Sequence, residues 1–77
     1  MPAKDYRTRN LLEASTLSLV VSIPDLEKDA SDIFWFVFPP EAEKKSKEYW
    51  AGKTTVIAKE LSDAVRNLKE RMNSFNG

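Results

Sequence analysis
The 77-residue chain contains no cysteine and no histidine. Without cysteine there is no disulfide, no thiolate nucleophile and no cysteine-ligated zinc. Without histidine the chain lacks the side chain that titrates near neutral pH and the commonest metal ligand. No metal and no cofactor are therefore expected. Neither sign of charge dominates, since twelve basic residues balance twelve acidic ones. Bulk DNA or an anionic membrane usually demands a clear excess of one sign. Long apolar stretches are missing too. The longest runs from Ile33 to Phe38, far too short to span a bilayer. The opening residues, with Pro2, Lys4, Asp5, Arg7 and Arg9, do not read as a signal peptide. The absence of cysteine fits a reducing cytoplasm, and a cytoplasmic location is expected.

The length suits one domain with a thin core. Residues 1–7 read as a loose polar arm, and 8–77 as the domain. Thr8 is a candidate N-cap, with Leu11, Leu12, Ala14 and Ser15 on one helical face behind it. Then Leu17, Leu19, Val21 and Ile23 alternate with Thr16, Ser18, Val20 and Ser22, the period of a strand. A helix to about Leu17 and a strand over 17–23 are expected, with Pro24 ending the strand. Residues 25–32 are polar, mostly acidic and rich in turn formers, and are expected to connect.

Residues 33–38 form the clearest strand, entirely β-branched or aromatic. Both of its faces are apolar, so both are expected to be covered. Pro39 and Pro40 stop it and open a helix, with Glu41 and Glu43 at the positive end of the dipole. Glu41 with Lys45, and Glu43 with Lys47, are i,i+4 pairs. That helix ends at Tyr49 and Trp50, with Gly52 just beyond it. Ile57, Leu61, Ala64, Val65, Leu68, Met72 and Phe75 recur at helical spacing and predict a last helix over about 57–75. The predicted order is α-β-β-α-α: an α+β domain in which an antiparallel β-hairpin packs against helices.

Two local patterns suggest chemistry and fail on inspection. Gly52-Lys53-Thr54 matches the end of a phosphate-binding loop, but Lys47 stands where the loop needs a glycine, and a helix precedes it instead of a strand. Asp25, Glu27, Asp29 and Asp32 alternate like a calcium loop but lack its central glycine and distal glutamate. No constellation of nucleophile, base and acid is visible, so the chain is not expected to be an enzyme.

The segment 8–15, from Thr8 to Ser15, resembles the threonine-started first helix of a known family. Phe36-Val37-Phe38, and the acidic helix ending Tyr49-Trp50-Ala51-Gly52, are similar to that family's Phe-Val-Phe strand and Tyr-Trp-Asn-Gly signature. Residues 64–69, from Ala64 to Lys69, resemble the end of its last helix. The family comprises short bacterial, archaeal and phage domains and is known only as domain of unknown function number 5659. The resemblance spans about residues 6–72. Ala51 departs from it where asparagine is common, as does the missing glycine between first helix and first strand. It implies a prokaryotic or phage cytoplasmic protein, and no activity, cofactor or catalytic residue comes with it.

Two binding functions compete. The leading expectation is a non-catalytic protein-interaction module, self-associating as a homodimer through Phe34, Trp35, Phe36 and Phe38. The alternative is a small nucleic-acid-associated regulator of phage or plasmid type, contacting phosphates through Arg7, Arg9, Arg66 and Lys69. Acidic residues interleave with the basic ones on the last helix, which counts against the alternative.

Overall fold
The computed structural model describes residues 4–75 and has the order β1 (Tyr6–Thr8), α1 (Leu11–Val20), β2 (Asp25–Lys28), β3 (Phe34–Phe38), α2 (Ala42–Trp50) and α3 (Ala58–Asn73). The α+β class is as expected, with one more strand than predicted. The sheet order is β1-β3-β2, and β3 pairs antiparallel with both neighbours. β1 and β2 therefore run parallel on either side of β3, joined through α1: a split β-α-β unit.

The register divides the sheet into two faces, because successive side chains alternate. Tyr6 lies opposite Phe38, Thr8 and Leu26 flank Phe36, and Lys28 lies opposite Phe34, so these share the inner face. Arg7, Asp25, Glu27, Trp35 and Val37 share the outer face. Phe36 and Phe38 are each 1% exposed and form the core with Ala14, Leu17, Ala42 and Leu68. Those partners come from α1, α2 and α3, so all three helices lie against the inner face.

Four expectations need correction. The end of the predicted loose arm, Tyr6 and Arg7, forms the edge strand β1 together with Thr8; residues 1–3 lie outside the described residues. The first helix is capped by Asn10, not Thr8: the Asn10 Oδ1 accepts from the Glu13 amide at 2.9 Å. Thr8 belongs to β1, where its backbone is spent on β3.

The predicted strand 17–23 does not exist, because α1 continues to Val20. Its alternating leucines also satisfy a helix: Ala14 and Leu17 are buried on its core side, while Leu19 and Val20 face outward. The intervening hydroxyls that suggested a strand bond back within the helix. Thr16 donates to the Leu12 carbonyl at 3.0 Å, and Ser18 to that of Ser15 at 2.6 Å, a pattern that helices tolerate.

The predicted polar connection 25–32 begins with the strand β2. An edge strand takes its backbone partner from β3 and needs little apolar patterning, and its charges protect the open edge. The true hairpin is thus β2–β3. Its tip is closed by Asp29, whose Oδ1 accepts from the amides of Ser31 at 2.8 Å and Ile33 at 3.0 Å. Asp32 takes the left-handed position at φ 62, which aspartate tolerates better than most residues.

The helices after β3 match expectation closely. At the end of α2, Gly52 adopts φ 75. Its amide donates to the Tyr49 carbonyl at 3.0 Å, and the Lys53 amide to that of Glu48 at 2.9 Å. This pair of bonds is a Schellman cap. The amides of Gly52 and Lys53 are thereby committed to the helix end, not free to curl around a phosphate.

Candidate functional site
Three places concentrate chemistry or exposed apolar surface. The first is a buried carboxylate that sequence reasoning did not single out. Glu13 is the single charged residue of α1 and is 2% exposed. Its Oε1 accepts from the Thr8 hydroxyl at 2.6 Å, and its Oε2 from the Tyr6 phenol at 2.6 Å. Ser46, from α2, also donates to Oε2. Burial pushes the Glu13 carboxyl up, but the bonds from Ser46, Thr8 and Tyr6 outweigh it and hold the carboxyl below its ordinary value. Burial, and then the bond to Glu13, raise the Tyr6 phenol above its ordinary value. A carboxylate so stabilised is a weak base, and both of its oxygens already accept hydrogen bonds. The arrangement ties β1 and α2 to α1. One signal was legible: a lone acid within a helix otherwise made of apolar and hydroxyl residues. Its partners, up to 33 positions away in sequence, were not.

The second place is the outer face of the sheet. Among the described residues no helix covers it, yet Val37 is buried and Trp35 is half-buried. The cover comes from the strands' own side chains. From β1, Arg7 reaches over β3 to Glu27 on β2 at 3.0 Å. Its guanidinium carbon lies 5.2 Å from the centre of the Trp35 ring, and that of Arg9 lies 5.7 Å from it. The Trp35 indole donates to the Asp29 carboxylate at 2.9 Å. That bond, the Ile33 and Ser31 amides and the nearby Arg9 charge hold the Asp29 carboxyl below its ordinary value. The apolar outer side of β3 is thus closed, among the described residues, by two arginines and two carboxylates.

This geometry scatters the candidate residues. Of the four proposed for self-association, Phe36 and Phe38 are core residues. Phe34 packs edge-on against Phe75, with ring centres 5.5 Å apart, and Trp35 lies on the opposite face beneath the arginines. The four make no common surface. Of the nucleic-acid candidates, Arg7 and Arg9 meet at Trp35 among Asp25, Glu27 and Asp29. Arg66 and Lys69 lie on α3 in the helical layer, with Arg66 at 3.7 Å from Asp63. The four basic residues form no continuous stripe.

The third place is a groove of about 310 Å³ between the end of α1 and α3. Its floor is Ala64 and Leu68, Leu19 and Ile23 stand at its side, and its rim includes Glu60, Asp63, Asn67 and Arg71. Ile23 is 75% exposed and Leu19 40%. Arg71 is anchored there, donating from Nη1 to the Pro24 carbonyl at 2.8 Å. Sequence reasoning missed this surface because it placed Leu19 and Ile23 on a strand. Among the described residues, no group of acids is placed to hold a metal ion, and no helix is long and apolar enough to cross a membrane. No family model, curated protein or solved structure matches the chain.

Proposed function
We propose that this chain is a non-catalytic interaction module that binds protein, and first of all a second copy of itself. The observation that carries this reading is the groove between α1 and α3, where Leu19 and Ile23 stand open beside a recess floored by Ala64 and Leu68. Open apolar surface next to a concave apolar floor, rimmed by charge, is the anatomy of an interface. The sheet, with its outer face closed by Arg7 and Glu27, has less need of a partner than the groove does. The carboxylate of Glu13, hydrogen-bonded through both oxygens, supports a structural role for the one buried acid, in keeping with a non-catalytic chain.

Light scattering coupled to size exclusion tests the proposal. The expected mass is twice 8.8 kDa for wild type, and 8.8 kDa for the double variant Leu19→Glu, Ile23→Glu, which should keep its fold because both positions are exposed. A wild-type monomer at high micromolar concentration rejects self-association.

A further inference from the structure
Along α3, Glu60, Ala64, Asn67 and Arg71 recur at spacings of four, three and four. They form one stripe beside the core stripe that contains Leu68, and all four line the groove. The stripe has an order: acid at its start, a small side chain and an amide in the middle, base at its end. We propose that two copies pair through this stripe, with their α3 helices antiparallel about a two-fold axis between residues 65 and 66. This deepens the proposed self-association and rests on it.

Such an axis carries position 60 onto 71 and 64 onto 67. Glu60 of each copy meets Arg71 of the other, so one symmetric contact makes the same ion pair twice. Ala64 meets Asn67, which lets the two backbones approach. A parallel pairing would instead set Glu60 against Glu60 and Arg71 against Arg71, repelling at both ends. Antiparallel helices also align their dipoles favourably. The groove supplies apolar cover, because Leu19 and Ile23 border the stripe and lose their exposure to the second copy. The Arg71 guanidinium is held in place by the Pro24 carbonyl through Nη1 alone, which leaves its other donors for a carboxylate. Among the described residues, Glu60 has no ion-pair partner within its own chain.

Charge reversal tests the pairing. Glu60→Lys and Arg71→Glu each place like charges together twice, so each alone should weaken dimerisation at least about tenfold. Mixed one to one, they should form a heterodimer with affinity near wild type, because every contact is again attractive. Circular dichroism melts confirm that each variant folds. Disulfide mapping is a second test that leaves Arg71 untouched, and the chain has no native cysteine. The stripe extends to Ile57 and Ser74, which the same axis superposes. Ile57→Cys mixed with Ser74→Cys should give the mixed disulfide, whereas Ile57→Cys alone should not cross-link. A dimer that ignores both charge reversals, or that links Ile57→Cys to itself, overturns this geometry while sparing self-association. A monomeric wild type overturns both.

Discussion

Glu13 shows how one buried residue can tie three elements of a small fold together. Three hydroxyls from β1 and α2 converge on its carboxylate. Removing it would leave buried donors without an acceptor, and each such group costs about 1–3 kcal/mol. Glu13→Ala should therefore destabilise by more than about 3 kcal/mol, and Glu13→Gln, which keeps one acceptor, by about 1–3 kcal/mol. Urea titrations of both variants measure this. The pH dependence follows from the lowered pKa. Between the folded and unfolded values the unfolded chain binds the extra proton, so stability falls with acidity. The contribution is full above the ordinary value of 4.5 and disappears as pH falls through the lower folded value. Wild type should lose stability across that window, and Glu13→Gln should lose much less. Tyr6 works at the other end: its raised pKa makes its contribution full below 10.0 and lost as pH rises through the folded value. The position of Glu13 in a helix could be read in the sequence. Its burial could not, because only the fold brings Tyr6, Thr8 and Ser46 to it.

At the scale of elements, segments whose pattern arises from their own burial were legible. β3 is apolar on both faces, α2 is framed by prolines and Gly52, and α3 repeats its apolar residues at helical spacing. β1 and β2 were not legible, since each owes its conformation to β3's backbone and not to its own side chains. Asp25–Lys28 contains one inward apolar residue, Leu26, and three charges, as suits an open edge. The alternation over 17–23 misled because leucines two apart can lie on adjacent flanks of one helix. The groove was lost with that error. Three substitutions test the legible elements. Leu68 is almost fully buried against Phe36 and Phe38, so Leu68→Ala should cost about 2–5 kcal/mol. Lys69→Ala, one residue on and exposed, should change stability by less than about 0.5 kcal/mol. Gly52→Ala should cost about 1 kcal/mol through φ 75 alone, since a Cβ there meets nothing within 4 Å. Thermal melts of the three variants should give the order Leu68→Ala, Gly52→Ala, Lys69→Ala from most to least destabilised.

At the scale of the whole molecule, one sheet carries helices on a single face, and the core cluster is six buried side chains with a few half-buried neighbours. A domain this small keeps a modest margin of stability. Self-association through the groove would add to that margin, because a second copy binds the folded chain and not the unfolded one. The consequence is measurable without locating the interface. Raising the free concentration to a hundred times the dissociation constant adds about 2.7 kcal/mol. In a domain of this length each kcal/mol moves the thermal midpoint by about 4–8 °C. A hundredfold increase in protein concentration through the dimerisation range should therefore raise the midpoint by roughly 10–20 °C. Calorimetry at 5 and 500 µM, approximate bounds chosen to bracket a micromolar dimer, reads this directly. The double variant Leu19→Glu, Ile23→Glu should melt at one temperature throughout, since its surface no longer pairs. Added salt discriminates further. Burial of Leu19 and Ile23 resists screening, whereas the paired Glu60 and Arg71 weaken modestly, so the concentration shift should survive high salt in reduced form. Binding through phosphates would instead collapse steeply over the same salt range. A midpoint that ignores concentration in wild type and variant alike would leave Ile23 an exposed residue with no partner, and the chain a monomer.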